Sequence, residues 1–378
     1  MLVEIHMLQN HAPSNLNRDD TGSPKECFFG GALRARISSQ CLKRSIRRSP
    51  VFEARLKGHL GTRTRRLPQL LKEELRRLGC PEEACEAIAR KATTIGSGKE
   101  SQDGETRQLI FLDPAEVAPL ARDLKAIYDR VGAKAFAELK IDDVEKQVTR
   151  QLPRSVDIAL FGRMTTTTIF EDVQASVQVA HAISTGKVEK QFDYFTAVDD
   201  LVGRASAEDG SDEQGAGMIG DVEFNSATYY KYFSVHWEQL VQNLGGDEET
   251  ARQTLAAFLL AAALTTPTGK QNTFAAHNPP DLILVEVKAD QVPISYANAF
   301  LNPVRPDRDR DLMEKSVEAL SSYVARLKSA YGDSVKSIAS LCLSVRGPVV
   351  AGSDPVATLE ELVERTLATL PSGQPAEA

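Results

Sequence analysis

With 378 residues, 42% of them hydrophobic and 26% charged, the chain has the composition of an ordinary globular protein with a large core, which excludes wholesale disorder. Its 45 Lys and Arg against 52 Asp and Glu give a formal net charge of −7, which as a single figure argues against a nucleic-acid binder. The longest purely apolar run, residues 255–264, falls well short of the roughly 20 residues of a membrane span, so no membrane is expected as a partner.

Residues 2–8 alternate, with Val3, Ile5 and Met7 on one side and Glu4 and His6 on the other, the period of a strand. A turn-rich loop runs from Asn10 to Pro24. A helix is expected over 39–49, N-capped by Ser38 or Ser39. The region 50–150 reads as mostly helical, with segments at 68–78, 82–92 and 115–139. An extended stretch around Phe192, Tyr194 and Phe195, an acidic glycine-rich segment to Gly220, and a Tyr- and Phe-rich run over 228–237 together predict a long hairpin. A helix over 248–264 capped by Asp247, a strand at 281–287, a helix over 311–330, a strand at 340–346 and a helix over 357–370 complete the chain. This order predicts an α+β fold with a ferredoxin-like or RNA-recognition-motif-like core and two large insertions, one helical and one a hairpin.

Five cysteines, Cys27, Cys41, Cys80, Cys85 and Cys342, form an odd and sparse set that suits reduced thiols and a cytoplasmic protein. Cys80 and Cys85 have neither a second pair nor a nearby histidine, so they read as ordinary helix and turn residues rather than metal ligands. The segment MLVEIHML has no basic n-region and is not expected to be a signal peptide.

Charge is sharply segregated. Residues 31–70 carry eleven Lys and Arg against one acid, Glu53, while residues 199–223 carry eight acids against Arg204 alone. Segregation of this kind makes local fields that the net value hides. GAGMIG (215–220) matches a dinucleotide-loop pattern in letters, but it is flanked by Asp212, Glu213 and Asp221 and lacks a following helix, so a hairpin tip is expected. GSGK (96–99) has Thr93 where the earlier glycine of a phosphate loop belongs, and Glu100 where Ser or Thr belongs. A nucleotide-binding enzyme would rest on these two runs alone.

FGGALRARISSQCLKRSIRRS (29–49) is more informative. Gly30 and Gly31 would let a backbone approach a ligand closely. Ser38 and Ser39 would begin a helix whose free amides can meet a phosphate. Lys43 and Arg47 share one face at i, i+4, and Arg44 and Arg48 make a parallel row. A helix N-terminus followed by rows of cations suits a polyanion backbone.

HAPSNLNRDDTGSPKECFFGGALRARISSQCLKRSIR (11–47) resembles the N-terminal signature of the CasC family, the backbone subunits of the type I-E CRISPR surveillance complex Cascade. DIALFGRM (157–164), AHAISTG (180–186), DYFTAVDDL (193–201), TGKQNTFAAHNPPD (268–281) and PISYANAF (293–300) are similar to the same family, in the same order. The resemblance implies a hand-shaped subunit: a palm at 1–50, 181–188 and 227–378, helical fingers at 51–180 and a hairpin thumb at 189–226. It implies copies assembled head-to-tail along CRISPR RNA, every sixth base turned out, the guide paired with target DNA, and other Cascade subunits as partners. It implies RNA contacts from Arg18, Lys25, Ser38, Ser39, Gln40, Lys43, Arg44 and Arg47, with Arg163, Met164 and Phe195 around the displaced base. By residue type alone, Met164 and Phe195 would be core residues. No catalytic residue, metal or cofactor is implied. The alternative is a metal-dependent endoribonuclease using Asp19 and Asp20, a carboxylate pair that could hold Mg²⁺. Those same carboxylates would otherwise make turn hydrogen bonds.

Overall fold

A computed structural model describes residues 1–150, 152–197 and 218–371. Strand β1 (Leu2–Ser14) lies at the centre of a large mixed sheet and extends beyond the predicted alternating segment. It pairs antiparallel with β9 (Met218–His236) on one side and with β10 (Leu282–Lys288) on the other. β7 (Ala182–Ser184) pairs antiparallel with β9, so the four neighbours run β10-β1-β9-β7. Helix α10 (Glu248–Leu264), capped by Asp247 through the Thr250 amide at 2.9 Å, connects β9 to β10 across β1. Beyond β10 the sheet continues through β11 (Ala339–Ser344) and the parallel β12 (Asp354–Val356).

The alternation in β1 has two buried consequences. Val3, Ile5 and Met7 join a core with α10 and with α13 (Leu359–Ala368). Glu4 and His6 are equally buried, because α12 (Leu312–Tyr331) and the segment around Tyr296 cover the other face. Burial of these polar groups is offset by hydrogen bonds and ion pairs, although His6 Nε2 has no hydrogen-bond partner and only Nδ1 meets the Tyr230 hydroxyl, at 2.8 Å. Glu4 accepts from the Tyr232 hydroxyl and the Ile294 amide and pairs with Lys288. Glu286 accepts from Tyr296 and pairs with Lys328 at 2.7 Å. Burial holds the His6 pKa at about 3, so the ring is neutral and stacks on Tyr296 with centroids 4.4 Å apart. Neither face of these central strands is an open platform.

A second core lies wholly within residues 67–170 and is built mostly from helices. Its members include α3 (Leu67–Arg77), α4 (Glu82–Ala92) and α5 (Val117–Val131). The predicted helix over 115–139 is broken at Gly132, at φ 79°, where α6 (Ala133–Glu138) begins in a new direction. Cys85 packs in this core, and Cys80 lies in the turn before α4.

β8 (Gln191–Ala197) pairs with the first part of β9, from Gln191↔Phe224 to Ala197↔Met218. β9 runs on without interruption from this hairpin into the central sheet. Most of the acidic glycine-rich run, with Asp212, Glu213 and the first half of GAGMIG, lies outside the described residues.

The glycine pair has a different role from the one expected of it. β2 (Glu26–Phe29) and β3 (Ala32–Ile37) form a hairpin whose two turn residues are Gly30 and Gly31, at φ 60° and 74°. Positive φ at both positions is what a two-residue type I′ turn requires. Gly30 does make a close approach, but within the chain: a Cβ there would collide with the Leu301 carbonyl. Arg34 locks the same junction. It is fully buried and donates to the carbonyls of Ser184 (3.0 Å), Thr185 (2.6 Å) and Phe300 (2.7 Å).

Candidate nucleic-acid interface

Helix α1 (Ser39–Arg47) begins at Ser38, which is extended and accepts from the Cys41 amide at 3.3 Å. The Ser38 amide donates to Asn17 Oδ1 at 2.8 Å, tying the preceding loop to the helix N-terminus. Leu42 and Ile46 face the core. Helical spacing therefore turns Gln40, Arg44 and Arg48 to solvent, with Ser39, Lys43 and Arg47 half-buried at the flank.

The loop side brings Arg18, which is exposed, and Lys25, which is half-buried and whose amide donates to Asn17 O at 2.8 Å. A cleft of about 490 Å³ separates the loop from the helix. Its walls are Arg18, Asp19 and Asp20 on one side, Cys41, Arg44 and Ser45 of α1 on another, and Thr268 and Gly269 on a third. Asp19 Oδ1 accepts from the Thr21 amide (3.0 Å), the Thr21 hydroxyl (2.8 Å) and the Ser23 amide (3.0 Å). The Thr21 hydroxyl and these loop amides hold its carboxyl below the usual aspartate range. Asp20 is exposed beside it. Among the described residues no cluster of three or more His, Cys, Asp or Glu could hold a metal ion.

Ion pairing sorts the cations. Among the described residues, the ion pairs in the basic window are Arg47–Asp157, Arg48–Glu53 and Arg66–Glu105. Among the described residues, Lys43, Arg44 and Arg63 have no carboxylate partner, nor do Arg36, Arg55, Lys57 and Arg65 of the same window or Arg18 and Lys25 of the loop. Burial and the neighbouring Arg63 push the Lys43 pKa down, and burial and Arg47 do the same to Arg63. Cations crowded in this way gain from an anion that approaches them.

Arg47 and Arg163 are placed inward. Arg47 Nε donates to Asp157 at 2.6 Å and its Nη2 to Gly61 O at 2.9 Å, with the guanidinium over the Phe111 ring. Arg163 is buried and makes a two-pronged contact with Glu116 at 2.7 and 2.9 Å. Its Nε donates to Glu171 O at 2.9 Å and its Nη1 to Phe111 O at 3.2 Å. Phe111 thus links the two arginines: Arg163 holds its carbonyl, and Arg47 and Arg63 lie on its ring. Arg163 positions the next residue, Met164, which is 93% exposed.

The core expectation for Met164 and Phe195 is overturned by that exposure. Phe195 is also exposed, with its ring lying across the hairpin where Gly220 leaves space. Phe192 and Tyr194, which were not singled out as contacts, are more exposed still. The hairpin root reaches the helix side of the molecule. Asn15 Nδ2 donates to both Gly22 O and Glu223 O at 2.9 Å, and Lys190 bridges Glu26 and Glu223. Thr268 and Gly269 were also not on the expected contact set. A Cβ on Gly269 would strike the carbonyls of Leu16 and Asn15, a contact between segments some 250 residues apart that no local pattern signals.

A search of curated proteins finds no match. The chain matches the family described as CT1975-like protein over residues 3–365. Its fold is similar to a chain of a solved "CRISPR RNA-guided surveillance complex, pre-nicking", at 30% identity and TM-score 0.80, covering 97% of this chain and 99% of that one. A chain of a second "CRISPR RNA-guided surveillance complex" matches at 26% identity and TM-score 0.72, covering 98% and 100%. The chain belongs to the CT1975-like family.

Proposed function

We propose that this chain is a non-catalytic backbone subunit of a type I-E Cascade, binding CRISPR RNA along the cleft between loop 15–25 and α1. The observation that carries the reading is a group of cations with no carboxylate partner among the described residues: Arg18 and Arg44 line the cleft, Lys25 lies near Cys41 in its wall, and Lys43 of α1 lies near Arg63. Such a group suits a phosphate backbone, and it binds without reading sequence. Sequence is then read by the guide's own base pairing with target DNA. Copies add head-to-tail along the guide, with other Cascade subunits at the ends.

In this reading the β10-β1-β9-β7 strands with α1 and α10 are the RNA-recognition-motif-like palm (1–50, 181–188 and 227–378). The helical core is the fingers (51–180), and the β8–β9 hairpin is the thumb (189–226). Because α12 covers one face of the central strands, the RNA path runs along α1 and the thumb rather than over open strands. Met164 and Phe195 supply apolar surface beside the kinked base, where a stacking contact is worth about 1–3 kcal/mol. Arg163 supports Met164, and Arg47 supports the α1 surface from within.

The test is co-expression of the chain with its CRISPR array and processing partners, followed by sequencing of the bound RNA. Guide-length RNA of every spacer is expected. Replacing Lys43 and Arg44 together by Ala should lower the log–log salt slope by about 1.4 and weaken all guides alike. A loss confined to some spacers would mean base readout and would refute the reading. Incubation of the complex with complementary RNA and Mg²⁺ should leave that RNA whole. Periodic cleavage abolished in Asp19→Asn or Asp20→Asn would favour the endoribonuclease instead.

A further inference from the structure

Thr268 and Gly269, at the start of loop 268–276, form the third wall of the α1 cleft, and the loop's backbone is unusual. Lys270 and Ala275, at φ 50° and 48°, are the non-glycine residues at positive φ among the described residues. They bracket one short helical turn, Gln271–Phe274. Such conformations persist only where the surroundings over-determine them, and they gather at ligand clamps. The surroundings here do so at both ends. Gly269 is pressed against the Leu16 and Asn15 carbonyls. Phe274 packs on Phe224 at the root of the β8–β9 hairpin, with centroids 5.5 Å apart. Behind the loop, Gln9 Nε2 donates to Asn278 O at 2.5 Å, and Asn278 Oδ1 accepts from the Ala12 amide at 3.1 Å. The Gln271 amide group donates to Pro267 O at 3.0 Å, and its buried Oε1 has no partner.

The loop therefore joins the cleft to the hairpin and presents Lys270, Asn272 and Thr273 between them. Lys270 has no carboxylate partner among the described residues, and Asn272 and Thr273 are exposed. We propose that loop 268–276 is a further guide-RNA contact in which Lys270 holds a phosphate facing Arg18 and Arg44 across the cleft. The proposal rests on the cleft being the RNA path. It adds the element that closes the cleft on the hairpin side, so that one backbone segment is gripped from loop 15–25, from α1 and from loop 268–276. The left-handed backbone at Lys270 and Ala275 is the cost of aiming that grip.

Lysine acetylation of the guide-bound complex and of the RNA-free chain, read by mass spectrometry, tests it. Lys43 and Lys270 should both be protected by RNA, while the exposed Lys336 is labelled equally in both. If Lys43 is protected and Lys270 is labelled as in the free chain, the loop is not a contact and the inference is overturned, with the proposed function intact. If neither is protected, the RNA path itself is wrong and both fall. Salt titration of guide binding separates RNA from shielding by a neighbouring subunit. Lys270→Ala should bind about tenfold more weakly, with the slope reduced by about 0.7, and Lys270→Arg should restore both. An unchanged slope in Lys270→Ala overturns the inference.

Discussion

Arg47 is the position where sequence and structure assign different work, and one variant separates them. Its guanidinium is committed to Asp157, whose side chain is fully buried, while Arg47 itself is 14% exposed. Arg47→Ala removes the partner and leaves a buried carboxylate and the Gly61 carbonyl unanswered. Breaking a buried pair from one side costs about 3–5 kcal/mol, and the partial exposure of Arg47 places the expected loss near the lower figure. The deficit has a pH signature. Burial raises the Asp157 pKa, against the opposing pull of the Gly61 amide and Arg47. A carboxyl raised in the folded state holds its proton there longer than in the unfolded chain, so its contribution is favourable at low pH and is lost as pH rises through the folded pKa. Without Arg47 that pKa rises further. The Arg47→Ala deficit is therefore largest at pH 7 and shrinks toward about pH 4, near the unperturbed aspartate value. Arg47→Ala combined with Asp157→Asn should recover part of the loss, because Asn can still accept from Gly61. Urea unfolding followed by the fluorescence of the single, buried Trp237 reads all three proteins. If Arg47→Ala unfolds within about 1 kcal/mol of the parent at pH 7 while its guide-binding salt slope falls by about 0.7, Arg47 is a phosphate ligand and the internal role is refuted.

Four other substitutions divide along similar lines. Gly30→Ala meets both a positive φ and the Leu301 carbonyl, whereas Gly31→Ala meets positive φ with open space. Gly31→Ala should cost about 1–2 kcal/mol in thermal unfolding and Gly30→Ala clearly more; equal costs would mean the Leu301 contact carries nothing. Met164→Ala should leave the unfolding midpoint unchanged, within about 0.5 kcal/mol, because the side chain is exposed. It should nevertheless reduce the fluorescence of 2-aminopurine placed at the displaced guide positions, and a loss of stability instead would mark Met164 as a packing residue. Glu116→Gln should lower stability and disturb the same guide signal, since it loosens the Arg163 contact that holds the Met164 loop; an unchanged signal would free Met164 from Arg163.

The elements were legible where local pattern decides them. The Asp247 cap, the period of residues 2–8 and the Ser38 cap each emerge within a residue or two of their predicted positions. What local pattern does not carry is the partner. Glu4 and His6 alternate like solvent-facing residues, and only α12, some 300 residues later, makes that side an interior. FF-GG-AL has the turn residues of a hairpin, yet its second constraint is Leu301. Arg34 and Arg44 look alike in a basic run, and only the folded chain separates the fully buried arginine from the exposed one. The left-handed backbone of Lys270 was not foreseen, because nothing in the letters TGKQ announces it.

That separation also resolves the tension between a net charge of −7 and a polyanion ligand. Within the basic window, Arg34 is spent on carbonyls, and Arg47, Arg48 and Arg66 have carboxylates. Among the described residues the other seven have no carboxylate; of these Arg44 lines the cleft with Arg18 of the loop, Lys25 lies near Cys41 in its wall, and Lys43, the residue before Arg44, has Arg63 as a neighbour. At physiological ionic strength the Debye length is about 8 Å, so exposed charges more distant than that are largely screened from one another. A phosphate entering the cleft would meet this local group together with Asp19, whose Oδ1 is already engaged by the Thr21 and Ser23 amides, and the acidic surplus elsewhere is screened from it. Electrostatics would then favour one track over the surface, as the proposed repetition of the subunit along a guide requires, since each copy would hold the backbone in the same place.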